Sequence, residues 1–118
     1  MSTALDQLIE TELDRPEIRG VTITDDSLVV DLRDGRTIIA PLLWYPRLAY
    51  AADSERQDFE IRRNVIYWQR LDEEVSVRAM LLGRTSGESR QSLERWLAQR
   101  LADSSAVRAS NGSAGTAT

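Results

Sequence analysis

Apolar and polar positions alternate through the first half of the chain and recur at helical spacing near its two ends. Between Thr3 and Leu13, the residues Leu5, Leu8, Ile9 and Leu13 fall at i, i+3, i+4 and i+8, so a helix there carries one apolar stripe. Ser2 or Thr3 can cap this helix, and Pro16 stops it. A helix this short is marginal alone and must dock on its own sheet or on a partner.

A β-meander follows. Val21 and Ile23 alternate with threonines, and Leu28, Val30 and Leu32 alternate with Val29, Asp31 and Arg33. With Asp25-Asp26 as the loop, Ile23 faces Leu28 and Val21 faces Val30, so the apolar sets agree in phase. The second hairpin separates two registers. A loop of Asp34-Gly35 alone puts Thr37 beside Leu32 and mixes the faces. A loop of Arg33-Asp34-Gly35, with Gly35 left-handed in a G1 bulge, pairs Val30 with Ile38 and Leu28 with Ala40. A slip of one residue would flip every side chain, so the pattern favours the bulged hairpin. It also leaves Val29 and Ile39 adjacent on the opposite face, where the first helix is the candidate cover.

Pro41-Leu42-Leu43 ends the third strand. Pro46 starts a short helix to about Ala52. Asp53 caps a second helix through Arg56 and Phe59 to Ile61. Val65 to Trp68 reads as a fourth strand and Leu71 to Glu74 as a turn. Ser76 caps a short apolar segment, Val77 to Leu82, closed by Gly83. After Ser86-Gly87 a last helix spans Ser89 to Leu101, with Leu93, Trp96, Leu97 and Leu101 as its stripe. From Ser104 onward, Ser, Ala, Gly and Thr dominate and disorder is expected. The pattern predicts an α+β fold: an antiparallel meander of three to four strands with short helices and a C-terminal amphipathic helix. It divides into an N-terminal helix (1–15), one domain (16–102) and a polar tail (103–118).

Composition narrows the chemistry. The chain of 118 residues, 42% of them hydrophobic, can bury one core. No apolar run approaches the ~20 residues that span a bilayer. The start lacks the basic and apolar regions of a signal peptide, so a cytoplasmic location is expected. There is no Cys, no His and no Lys. That removes disulfides, thiolate nucleophiles, the usual near-neutral proton shuttle, Schiff bases and the P-loop lysine. Zinc would find only carboxylates. Carboxylate chemistry, or a carboxylate-bound hard cation, stays open. The net charge of −4, with every basic residue an Arg, does not invite nonspecific nucleic-acid binding. The all-Arg set has a compositional reading beside a functional one, in which guanidinium groups make bidentate contacts.

Trp44, Tyr45, Pro46 and Arg47 form the first candidate site. Aromatic rings and Arg are enriched at binding hot spots, while the same residues also suit a strand-to-helix corner with Trp44 in the core. Tyr67 and Trp68 with Asp72, Glu73 and Glu74 form the second, as a grip for a partner's arginines or as a solvated acidic turn. Magnesium chemistry would need carboxylates from separate elements, such as Asp31 with Asp72. Arg62-Arg63 before Tyr67 and Trp68 has the basic-plus-aromatic look of a single-strand binder, against which the net charge counts. No residue is assigned a catalytic, metal or cofactor role.

Several motifs in order, Asp34-Gly35-Arg36, Trp44-Tyr45-Pro46-Arg47-Leu48, and Trp68 with Leu71 to Val77, resemble a family of small bacterial proteins known as domain of unknown function 2442. Ser86-Gly87-Glu88-Ser89, Ser92-Leu93 and Trp96-Leu97 are similar to an ending common there, so the resemblance runs from about Ile18 to Arg100. Departures fall at Gln69, Glu74 and Arg78-Ala79, and at Arg62-Arg63-Asn64, where the family is often Gly-rich. The resemblance implies an α+β fold and no established enzymatic activity. Some relatives are fused to helix-turn-helix domains, and some sit beside small partner proteins in a toxin–antitoxin-like arrangement.

The expectation is therefore a non-enzymatic protein-binding or regulatory, antitoxin-like module. It would bury the patch around Trp44, Tyr45 and Arg47 against a neighbouring-gene product or a second copy of the chain. The alternatives are a component of a DNA-associated regulator and a carboxylate-dependent hydrolase built on Asp31, Asp72 and Glu74.

Overall fold

The structure, a computed structural model, describes Ala4 and residues 16–116, with side-chain environments up to residue 103. The expected helix Thr3–Leu13 lies, but for Ala4, outside the described residues. The chain divides into two compact units, Met1–Gly87 and Glu88–Thr118, a boundary inside the stretch expected to form one domain.

In the first unit, β1 (Ile18–Ile23), β2 (Ser27–Leu32) and β3 (Thr37–Pro41) form an antiparallel sheet in that order. Both hairpin registers are those the hydrophobic phase predicts. Ile23 pairs with Leu28 and Val21 with Val30, then Val30 with Ile38 and Leu28 with Ala40. Gly35 has φ +96°, the left-handed position of the bulge. Leu28, Val30 and Leu32 are wholly buried, as the alternation requires. Val29 and Ile39 are paired on the other face, and Ile39 is 65% exposed.

The second half of this unit departs from expectation. Among the described residues there is a second three-stranded antiparallel sheet, made of β4 (Glu60–Arg62), β5 (Val65–Trp68) and β6 (Glu73–Ser76). The helix expected from Asp53 to Ile61 is only α2 (Asp53–Arg56), following α1 (Pro46–Tyr50). Its cap is Ala52, whose N–H donates to the Glu55 carboxylate at 2.9 Å. Ile61 therefore belongs to a strand, paired with Ile66. The expected turn at Leu71–Glu74 is shorter: Asp72 turns the chain at φ +49°, and Glu73 already pairs with Trp68. Both misreadings have one cause. A strand of three or four residues with one apolar side chain in the row Ile61–Ile66–Val75, Val75 buried and Ile61 still exposed, carries too little periodicity to be seen.

The β4–β5 hairpin turns through Arg63-Asn64, with Arg63 at φ +58°. The left-handed region costs a residue with a Cβ about 1–2 kcal/mol. Its partners do little to require Arg: the side chain makes an exposed ion pair with Glu17 at 3.3 Å, and the carbonyl accepts from Ile18 N–H at 2.8 Å whatever the side chain. Arg63→Gly is expected to stabilise the fold by about 0.5–1 kcal/mol after the entropy of the freer unfolded chain is subtracted. Chemical denaturation checks it, and an unchanged or lowered midpoint would show that the turn is unstrained.

α3 (Val77–Leu81) follows β6 directly. As expected, Ser76 caps it, its Oγ accepting from Ala79 N–H at 3.0 Å, and Gly83 closes it at φ +69°. The core draws on both sheets and the helices, with Ile66, Trp68, Leu71, Val75 and Val77 buried alongside Leu42, Leu48 and Met80. In the second unit, α4 (Arg90–Thr116) starts after Ser89, whose Oγ accepts from Ser92 N–H at 3.0 Å. Arg100 stacks over the Trp96 ring at 4.6 Å. The helical backbone continues past the expected end at Leu101 into the segment expected to lack structure. No Pro interrupts that segment, and the first Gly is Gly112.

Candidate functional site

The chain leaves the first sheet through a tightly pinned corner. Pro41, without an N–H, ends β3, and Leu42 N–H donates to Asp26 carbonyl at 2.9 Å. A 3₁₀ turn over Leu42–Trp44 then alternates its side chains: Leu42 is buried, Leu43 is 79% exposed, and Tyr45 just beyond is buried again. Trp44 is half-buried, its Cη2 lying 4.0 Å from where a Cβ on Gly83 would stand, and its carbonyl accepts from Ser86 N–H at 3.0 Å.

Two arginines lock this corner to the second sheet. Arg47 Nη1 donates to Leu71 carbonyl at 3.0 Å. Arg56 donates from Nε to Leu48 carbonyl at 2.8 Å and from Nη2 to Ala49 carbonyl at 2.7 Å, covering the last turn of α1. Trp68 Nε1 donates in turn to Arg56 carbonyl at 2.8 Å. A planar guanidinium can hold two successive carbonyls at once, and a lysine ammonium cannot in that geometry. Arg56 thus has a use that composition alone hides, and no sequence motif announces it.

The residues of the two sequence candidates do not form one site. Tyr45 and Trp68 face the interior, with 2% and 0% exposure, so the described surface does not present them to a partner. Trp44, Pro46 and Arg47 stay at the corner. Asp72 is in the left-handed turn, and Glu74 pairs with Tyr67 on the outer face of the second sheet. There Arg62 lies 4.8 Å from the Tyr67 ring centre and donates to Glu60 at 3.1 Å. Asp31 is on the outer face of the first sheet, accepting from Thr37 Oγ1 at 2.7 Å. Among the described residues, no three carboxylates gather in a way that could hold a metal ion. Among the described residues the buried Tyr45 hydroxyl has no hydrogen-bond partner, and burial, helped by the charge of Glu73, pushes its pKa up to about 12.

What the sequence reading missed lies beside the corner. Asp25, Asp26, Ser27, Ile39, Pro41, Leu42, Leu43 and Ala49 line a groove of about 690 Å³. Its apolar wall is Ile39, Pro41 and Leu43, and its acidic rim is Asp25 and Asp26. Tyr50, 60% exposed, lies at the end of α1. The signal was present in Leu42-Leu43: two adjacent leucines at a turn cannot both point inward.

Residues 18–86 match the family described as "Protein of unknown function (DUF2442)". The chain belongs to this family. The DUF2442 match ends one residue before the first unit does, so Ser89 to Leu97 lie beyond it. No curated protein matches the chain. Two solved structures share the DUF2442 chain's fold. A protein of unknown function from Rhodospirillum rubrum is 22% identical, with a TM-score of 0.53, the match covering 65% of this chain and 96% of that one. An uncharacterized protein from Chromobacterium violaceum is 19% identical, with a TM-score of 0.56 and coverage of 80% and 90%. Among the described residues, no helix is long and apolar enough to cross a membrane.

Proposed function

We propose that this DUF2442 domain is a non-enzymatic protein-binding module of the cytoplasm, which receives an apolar side chain of a partner protein in the groove beside Leu43. The observation that carries the reading is a leucine left 79% exposed on a corner whose backbone is held by hydrogen bonds from Leu42, Arg47 and Ser86. An apolar side chain on a rigid support loses little conformational entropy when it is covered, which is the economy of a binding anchor. Asp25 and Asp26 on the rim favour a partner with Arg or Lys next to its apolar anchor. The absence of Cys, His and Lys supports a non-catalytic role. A regulatory, antitoxin-like role is the form of this reading that the family resemblance suggests, with a neighbouring-gene product or a second copy as partner.

Affinity purification of the tagged chain from its own host, with light scattering of the recovered complex, tests the reading. The native chain is expected to retain a stoichiometric protein. Leu43→Asp is expected to lose at least tenfold in capture while its circular dichroism stays unchanged, since the side chain contributes little to the core. Recovery of the native chain as a lone monomer, or undiminished capture by Leu43→Asp, would remove this site from consideration.

A further inference from the structure

The first sheet has a second face that the described chain leaves open. Across it run two rows, Thr22–Val29–Ile39 and Gly20–Asp31–Thr37, read directly from the pairing. The first row is apolar at its centre and Ile39 is 65% exposed. The second is open at Gly20, where an added Cβ would meet nothing within 4 Å. A flat, partly apolar face of this size accepts one helix.

We propose that residues 3–13 form an amphipathic helix lying on this face, its stripe of Leu5, Leu8, Ile9 and Leu13 against Val29 and Ile39. Length and connection support it. The helix must leave through the linker 14–17 into Ile18, which pairs with Leu32 at the opposite end of β2 from Val29. From Leu13 to Leu5 a helix rises about 12 Å. From Arg33 to Val29 an extended strand covers about 13 Å. The stripe therefore matches the open length of β2, with Leu13 near Arg33 and Leu5 near Val29.

Charge agrees with this direction. On a helical projection Glu12 falls within the stripe, while Asp6, Glu10 and Asp14 fall to its side or behind it. Glu12 would arrive at Arg33, whose ion pair with Glu17 is long at 3.7 Å. The positive end of the helix dipole would point toward Asp25 and Asp26 at the far end of the sheet. Placed so, the helix continues the wall of the groove at Ile39. The inference goes beyond the proposed function and does not rest on it.

Disulfide trapping in the full chain tests it, and the chain's lack of Cys makes every bond assignable. Ile39→Cys is combined with Leu5→Cys, with Leu8→Cys, or with Gln7→Cys, which lies on the opposite side of the helix. Under mild oxidation at least one of the Leu5 and Leu8 pairs is expected to close within the monomer, ten times faster or more than the Gln7 pair. Equal rates from all three, no closure from either stripe pair, or covalent dimers in place of the internal bond would overturn it. Partner capture is a separate measurement, so failure here and failure of the groove reading are distinguishable.

Discussion

Trp68→Ala is expected to lower the free energy of unfolding by about 3–5 kcal/mol. The ring is the largest fully buried side chain among the described residues and lies 6.0 Å from Phe59 in a tilted arrangement. Its Nε1 also satisfies the carbonyl of Arg56, the residue whose side chain covers the end of α1. Truncation therefore leaves a cavity and an unpaired carbonyl in the same place, next to the corner. With domain stabilities of about 5–15 kcal/mol, such a loss brings the fold close to its threshold. Trp68→Phe separates the two contributions, since it keeps most of the volume and forfeits the hydrogen bond, at about 1–3 kcal/mol. Urea unfolding followed by far-ultraviolet dichroism measures both. A cost below about 1 kcal/mol for Trp68→Ala would return the ring to the surface role that the sequence suggested.

Stability is expected to fall as pH rises from about 10 to about 12, the interval set by Tyr45. In the unfolded chain the phenol ionises near its ordinary value of 10.0, whereas in the fold burial raises it to about 12. Between the two, unfolding releases a proton, so alkali favours the unfolded state. Below pH 10 the contribution is fully present, and above 12 it is gone. The total is about 2–3 kcal/mol for a shift of this size. The chain has no Lys, His or Cys to add to the profile in this interval. Tyr45→Phe is expected to flatten the profile. At neutral pH it should leave stability equal or raise it by about 1 kcal/mol, because the hydroxyl it removes is buried without a partner. An unaltered alkaline slope in that variant would assign the loss to other groups.

Much of the first sheet was legible because its information is local. The loop Asp25-Asp26 and the bulge at Gly35 set the registers, and the phase of Leu28, Val30 and Leu32 allowed only one of them to bury a consistent face. The second sheet was not legible. Only Val65–Trp68 showed, as an unbroken run of β-branched and aromatic residues, and its neighbours Glu60–Arg62 and Glu73–Ser76 are ordered by pairing with it and not by their own pattern. The site followed the same division. The corner at Trp44–Arg47 was visible as a composition of aromatic, Pro and Arg, yet Tyr45 turned inward and Leu43, unremarked, turned outward.

By itself the sequence determined the family, the α+β class, the first three strands with their registers, the cap at Ser76, and the chemistry that a chain without Cys, His or Lys gives up. These depend on spacing and residue type within a few positions of the chain, where turn geometry and periodicity act. Only the tertiary structure decided that there are two sheets, that Arg47 binds the distant carbonyl of Leu71, that Tyr45 and Trp68 belong to the core, and that a groove opens beside Leu43. Each of those outcomes joins residues far apart in the chain, and a side chain becomes buried or exposed only when the elements around it have found their places.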